Sequence, residues 1–136
     1  MPPTEPLGSE KKLEDVVEEV GLYPIEAYEF VHHGLGYTVN KLHGNKKDPK
    51  ASRHVSGRDL CEGLREYALA KWGLMARTVL TRWNVRKTYD FGRIVFAMVD
   101  NGLMQKTEED SIDDFRDVFD FTHAFGEQGY RIEMRS

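Results

Sequence analysis

The sequence has only one cysteine, Cys61, among its 136 residues. A lone thiol cannot form an internal disulfide, so the disulfide-stapled scaffolds of small secreted proteins are excluded. Long apolar runs are also missing, and the longest fall far short of the roughly 20 residues that a membrane-spanning helix needs. The polar, proline-containing start of the chain lacks the apolar segment of a signal peptide. These absences predict a protein of the reducing cytoplasm with no membrane partner.

Length and composition suit one globular domain. A chain of 136 residues has a common domain size, and it can bury roughly two-thirds of its unfolded surface without a metal or a disulfide. Residues 1–9 contain three prolines, a glycine and a serine, so we expect a disordered lead-in there. Residues 10–136 are predicted to form a single helical domain that needs no cofactor.

Charge is distributed unevenly along the chain, although the net charge is only −4. Residues 1–40 hold two lysines against eight acidic residues, residues 41–93 hold 13 basic against five acidic, and residues 94–136 hold four basic against ten acidic. Either the basic middle pairs with its own acidic flanks, or it presents a basic face to an anionic partner. The sequence pI of about 5.7 argues against dedicated nucleic-acid binding.

Apolar residues recur at helical spacing along most of the chain. The best-marked stripe lies in a helix that we predict over residues 56–83 with a break at Gly73, and it consists of Leu60, Leu64, Tyr67, Ala68, Trp72, Met75, Val79 and Trp83. The other helices are predicted over residues 10–20, 24–42 and 88–100 and from Ser111 onward. The residues expected to be most buried are Leu64, Ala68, Trp72, Val79, Val95 and Phe119.

These patterns predict a mainly α fold, a compact bundle of five or six helices. Tyr130, Ile132 and Met134 alternate with charged residues, which allows one small β element, a hairpin or wing near the C-terminus. Gly34 and Gly36 lie inside a predicted helix, where each costs about 1 kcal/mol relative to alanine. We therefore expect both glycines to mark close contact with a neighbouring helix.

A candidate anion-binding site is formed by His54, Ser56, Gly57 and Arg58 at a predicted helix N-terminus. Free backbone N–H groups and partial positive charge favour an anion there. Gly57 would let the anion approach the backbone, Arg58 would bind it, and His54 would add a titratable charge. The alternative is an ordinary helix cap, because Ser56 and Asp59 have the spacing of a capping box. The ordinary cap is favoured, since no glycine-rich phosphate loop surrounds these residues.

Metal binding and nucleophilic catalysis are weaker interpretations. His43, His54 and Cys61 offer zinc-type ligands, but their spacings of 11 and 7 residues match no common finger or ribbon. Cys61 lies in the first turn of a helix, where a thiolate is favoured, yet its apolar neighbours indicate a core position. The acidic run over residues 108–120 lacks the ligand spacing of a calcium loop. We therefore predict no metal ligands and no catalytic residues.

Residues 64–106 resemble a winged-helix segment in the order of their elements: a helix, a turn, a second helix and a possible wing at 103–106. A DNA-reading helix exposes Arg, Lys, Asn or Gln to base edges. The helix over residues 90–100 offers mainly Arg93, which argues against this interpretation. The candidate partner-binding residues near the turn are Arg82, Arg86, Lys87 and Arg93.

Three stretches of the chain resemble an uncharacterised bacterial cytoplasmic protein family with no assigned activity. They are His54-x-Ser56-Gly57-x-x-Leu60, then Trp83-x-x-x-x-Thr88-x-Asp90-Phe91-Gly92-x-Ile94-Val95-Phe96, and Gly102-Leu103-Met104. The resemblance covers residues from about 13 to 125. It implies a compact bacterial domain in the cytoplasm and supplies no catalytic residues.

No motif in the sequence identifies a function, so the prediction of function depends on the aromatic and charged residues available for the surface. With fifteen aromatic residues (seven Phe, six Tyr and two Trp), the chain has enough for its core and for an interface. The favoured function is a non-catalytic protein-binding or adaptor domain that binds another protein. Two alternatives stay open: a nucleic-acid-binding protein using residues 64–106, and a small enzyme or ligand binder using the anion site at residues 54–59.

Overall fold

The computed structural model describes residues 12–44 and 54–126 of the chain. Within these ranges the fold is mainly α, as predicted, and contains no β-strand. The helices are α1 (Leu13–Val20), α2 (Ile25–His43), α3 (Gly57–Trp72), α4 (Ala76–Arg82), α5 (Thr88–Asp100) and α6 (Phe121–Ala124), with single 3-10 turns at Gly73–Met75 and Ile112–Phe115. The predicted lead-in at 1–9 and the alternating segment at 130–135 lie outside the described residues. The predicted wing at 103–106 contains no strand.

The break predicted inside the long helix is confirmed at Gly73. This glycine has φ +54°, a left-handed conformation that an L side chain disfavours, and its N–H donates to the carbonyl of Leu69 at the end of α3. The chain then makes the 3-10 turn Gly73–Met75 and enters α4. The pattern of residues 56–83 therefore belongs to two helices joined by a tight corner.

The prediction of a helix from Ser111 onward is wrong, because the helical segment there is much shorter than predicted. Only the 3-10 turn Ile112–Phe115 forms, and the chain runs extended through Arg116 before α6 begins. The reason lies in Thr88, whose hydroxyl donates to the Phe115 carbonyl at 2.6 Å and accepts from the Val118 N–H at 3.2 Å. These bonds satisfy backbone groups that a longer helix would otherwise pair.

The core lies where α2 and α3 pack together and α5 packs on both. Its largest fully buried side chains are Tyr28, Leu35, Leu60, Leu64, Leu80, Phe91, Ile94, Phe115 and Phe125. Leu64, Ala68 and Val95 are buried as predicted. Trp72, Val79 and Phe119 are only half-buried, and of these Trp72 and Phe119 pack against the core. Met75 was also predicted on the apolar stripe, but the corner at Gly73 leaves it exposed.

Close contact between α2 and α3 depends on glycine at two positions. A Cβ on Gly34 would overlap the Leu64 side chain, and a Cβ on Gly63 would overlap the Thr38 side chain. The expectation for Gly34 is therefore confirmed. The expectation for Gly36 is wrong, because apart from the nearby backbone of α2 no atom lies within 4 Å of the position that its Cβ would occupy.

Candidate functional site

The N-terminus of α3, the candidate anion site, is capped by its own residues. The Ser56 hydroxyl accepts from the Asp59 N–H at 3.0 Å, and the Asp59 carboxyl accepts from the Ser56 N–H at 3.4 Å. This is a reciprocal capping box, with aspartate in the position where glutamate is usual. Two of the N–H groups that an anion would need are thus already bonded.

Gly57 serves packing in this structure. A Cβ at this position would lie 2.8 Å from the Phe115 ring and 2.8 Å from the Asp114 Cβ, so the 3-10 turn Ile112–Phe115 covers the glycine. The interpretation that Gly57 opens the backbone to an anion is corrected by this contact. Arg58 is exposed, and His54 Nε2 lies 3.5 Å from Asp110 Oδ1. A buried carboxyl group beside His54 opposes an anion there.

Of the three side chains considered for zinc, the two histidines have other partners and the cysteine is buried. His43 Nε2 contacts the backbone carbonyl of His54 at 2.7 Å, and the His54 ring faces Asp110. Cys61 is fully buried, and this burial raises the pKa of its thiol. Among residues 12–44 and 54–126, no group of three or more His, Cys, Asp or Glu side chains is arranged to hold a metal ion.

Helix α5, which the winged-helix interpretation would place in a DNA groove, is a core helix. Seven of its 13 residues are buried, and they pack against α2, α3 and the 3-10 turn Ile112–Phe115. Arg93 is its exposed basic residue, with 44% of its side chain accessible. A helix in this position cannot present a row of side chains to base edges.

The four candidate partner-binding residues fall into two places. Arg82 ends α4 and Arg86 follows in the turn, where its Nε donates to the Asn84 side chain at 3.3 Å. Lys87 and Arg93 instead line a pocket of about 290 Å³ together with Tyr89, Arg116 and Asp117. The latter three were missed by sequence reasoning, because 27 residues separate Tyr89 from Arg116 along the chain and no local pattern links them.

Aromatic side chains gather beside the corner between α3 and α4. The Trp72 and Trp83 rings meet edge to face with centroids 5.3 Å apart, and Phe30 contacts both, at 5.1 and 5.8 Å. Both tryptophans are half-buried. Between them in sequence, Leu74 and Met75 are exposed to 54% and 57%. These are the two most exposed large apolar side chains in the part of the chain that the structure describes.

Basic residues surround this corner. We define the α4 surface as Trp72, Leu74, Met75, Arg77, Arg82 and Trp83. Leu74 and Met75 lie in the 3-10 turn that leads into α4, and Arg77 and Arg82 are exposed on α4 itself. From residue 67 to residue 89 the chain contains five basic residues and no acidic residue. The α4 surface therefore combines exposed apolar side chains with charge of one sign.

Comparisons of the chain with models of known protein families, with curated proteins and with solved structures gave no match. None of the described helices is long and apolar enough to cross a membrane. The functional argument therefore rests on the chain's own residues.

Proposed function

We propose that this chain is a non-catalytic protein-binding or adaptor domain whose α4 surface binds an acidic segment of another protein. The observation that carries the proposal is the pairing of exposed Leu74 and Met75 with a 23-residue stretch, residues 67–89, that has five basic residues and no acidic one. In the partner, apolar residues would contact Leu74 and Met75, and acidic residues would face the surrounding arginines.

The two kinds of side chain have different energetic roles in such an interface. Apolar and aromatic side chains at the centre of an interface supply most of the affinity when they lose contact with water. Charged groups at its rim mainly accelerate association and select the partner's charge. The half-buried Trp72 and Trp83 are held by Phe30, so they form a rigid support and lose little side-chain entropy on binding.

Internal neutralisation of this charge is the competing explanation. Lys41 pairs with Glu66, and Arg93 pairs with Asp90, so part of the basic middle is neutralised within the fold. Lys71, Arg77 and Arg82, however, have no ion-pair partner among the described residues and are exposed. Exposed ion pairs contribute only about 0–1 kcal/mol. Folding stability alone therefore gives little reason for this concentration of charge.

The resemblance to a bacterial cytoplasmic family supports a setting in the bacterial cytoplasm, which we include in the proposal. A buried thiol in the chain's single cysteine is compatible with a reducing compartment. No catalytic activity is proposed, because the side chains considered for catalysis, His54 and Cys61, are engaged or buried.

The test is differential capture of partners from the source cell, with full-length variants as bait. One variant carries Leu74→Ser and Met75→Ser, and a second carries Lys71→Glu, Arg77→Glu and Arg82→Glu, the exposed charges at or beside the α4 surface that have no ion-pair partner among the described residues. The control variant carries Lys12→Glu, Arg58→Glu and Lys106→Glu, which changes the net charge equally at exposed positions outside the α4 surface. Quantitative mass spectrometry compares what each bait retains, and melting curves establish that each bait is folded.

We expect one or more acidic proteins to bind the wild type and the control variant and to be lost from both test variants. Charge reversal should slow association and make it less sensitive to salt, with stability changed by less than about 0.5 kcal/mol. Retention of every partner by both test variants would refute the proposal. If the charge-reversal variant lost only bound nucleic acid, the alternative of nucleic-acid binding would be favoured. If its melting temperature fell strongly, the basic residues would be shown to stabilise the fold.

A further inference from the structure

Two arginines from distant parts of the chain lie over one tyrosine ring. The Arg93 guanidinium carbon is 5.2 Å from the centroid of Tyr89, and that of Arg116 is 4.5 Å from the same centroid. Both distances are within the range of a cation–π contact. Tyr89 and Arg93 are one turn apart on α5, whereas Arg116 follows the 3-10 turn Ile112–Phe115. The fold therefore brings two positive charges together.

Each guanidinium group has a carboxyl partner on its own segment. Arg93 Nη1 lies 3.5 Å from Asp90 Oδ1, and Arg116 Nε donates to Asp113 Oδ1 at 2.6 Å. An arginine has five N–H donors, so each pairing leaves donors for a further acceptor.

The same pocket contains a third cation and one acid. Lys87 and Asp117 line it together with Tyr89, Arg93 and Arg116, and its volume is about 290 Å³. Three positive charges and one negative charge line the pocket, and Asp90 and Asp113 pair with two of the three cations, Arg93 and Arg116. Arginine side chains bind tetrahedral oxyanions through paired N–H groups. The pocket therefore gathers, at one aromatic ring, guanidinium N–H donors of the kind that bind a tetrahedral oxyanion.

We propose that the Tyr89 pocket binds the dianionic phosphate group of a phosphate monoester. Arg93 and Arg116 donate to its oxygens, and Lys87 contributes charge. The proposal is independent of the α4 surface and of the protein partner proposed above, because a free phosphate monoester needs neither. The phosphate group has two sources, a small metabolite or a phosphorylated side chain, and both present the same chemistry to the pocket.

The experiment measures binding of inorganic phosphate, adenosine monophosphate and a short phosphoserine peptide to the full chain by calorimetry and by NMR titration. We expect saturable binding with amide shifts centred on residues 87–93 and 116–117. Arg116→Gln should weaken it by about tenfold or more, because a hydrogen bond between charged groups is lost. Arg58→Gln, which removes the same charge at the N-terminus of α3, is the control and should leave affinity unchanged.

A second variant separates binding from folding. Asp117 has φ +48°, a conformation that asparagine also tolerates, so Asp117→Asn removes the negative charge without backbone strain. This variant should bind phosphate more tightly than the wild type, a result that damage to the fold cannot produce. Lowering the pH from about 7.5 to 5.5 should weaken binding of a monoester, whose second pKa is about 6, and leave sulfate binding unchanged.

Comparison of the nucleotide with the peptide identifies the source, and tighter binding of either one supports the proposal. Equal affinity for acetate and phosphate would overturn it, because the pocket would then select no dianion. It would also be overturned if Arg58→Gln abolished binding and Arg116→Gln did not, since the phosphate would then bind at α3. Tighter binding of a single-stranded oligonucleotide than of any monoester would assign the charge to nucleic acid instead.

Discussion

The Tyr23 hydroxyl donates a hydrogen bond of 2.5 Å to Asp90 Oδ1, and both side chains are buried. The second oxygen of Asp90 accepts from the backbone N–H groups of Arg86 and Lys87, at 2.9 and 3.2 Å. One carboxyl group thus connects the segment before α2 to the first turn of α5. It also fixes the turn that carries two of the basic residues discussed above, so the position of that charge depends on a tyrosine 67 residues away.

Replacement of Tyr23 by phenylalanine should destabilise the fold. The change keeps the ring but removes the donor from a buried carboxyl group, which should cost about 1–3 kcal/mol. Tyr28→Phe is a matched control, because the Tyr28 hydroxyl is also buried but has no hydrogen-bond partner among the described residues. That change should leave stability unchanged or raise it by about 1 kcal/mol. Urea denaturation measures both; equal losses would contradict the assigned bond.

Alkaline pH should destabilise the fold, because it favours ionisation of Tyr23 in the unfolded state. Burial, followed by the hydrogen bond to Asp90, raises the pKa of Tyr23 in the fold, whereas the unfolded phenol titrates near pH 10. Above about pH 10 the unfolded state loses a proton that the folded state keeps, so the stability present at lower pH declines by up to about 1.4 kcal/mol per pH unit. Burial also raises the pKa of Tyr28, which adds to this slope.

The measurement is the free energy of unfolding between pH 8 and pH 11 in a Cys61→Ala background. That background is needed because burial raises the pKa of the Cys61 thiol as well. The double variant Tyr23→Phe and Tyr28→Phe should show a flatter decline above pH 10 than its parent. An unchanged slope would show that these phenols titrate normally in the fold.

Glycine substitutions in α2 and α3 should have opposite effects. Gly63→Ala places a Cβ against Thr38, whose hydroxyl is fixed by a 2.7 Å bond to the Gly34 carbonyl, so we expect a loss of about 1–3 kcal/mol from overpacking. Gly36→Ala adds a methyl group in open space and should stabilise the helix by about 1 kcal/mol. Thermal melting of the two variants checks both. A destabilised Gly36→Ala variant would contradict the packing described for this face of α2.

Local patterns were sufficient to predict the helices and most of their ends. Ser56 with Asp59 and the corner at Gly73 depend on interactions within a few residues, and the structure contains both. The 3-10 turn at Ile112–Phe115 was overestimated as a full helix because its end is determined by Thr88, a residue 27 positions away. The spacing of apolar residues within the segment gives no information about a hydrogen bond to a residue so distant in sequence.

The candidate sites were predicted less well than the fold, for the same reason. Lys87 and Arg93 were identified from charge alone, but the pocket that contains them also needs Arg116, which tertiary packing brings to the same ring. Met75 had helical spacing typical of the core, and only the corner at Gly73 exposes it. Gly57 had the sequence context of an anion site, but Phe115 covers it. The differences at Arg116 and Gly57 arise from contacts between residues distant in sequence, whereas Met75 is exposed by the local corner at Gly73.

Cys61 should be inert toward thiol reagents while the chain is folded. Its side chain is fully buried, and burial raises the pKa of the thiol, so the reactive thiolate is disfavoured. Because alkylation requires local opening of the core, iodoacetamide should modify the native chain at pH 8 roughly a hundredfold more slowly, or slower still, than the urea-unfolded chain. Mass spectrometry of samples quenched over time gives both rates. Rapid stoichiometric alkylation of the native chain would show that the thiol is accessible, and nucleophilic chemistry at Cys61 beside the α3 N-terminus would then have to be reconsidered.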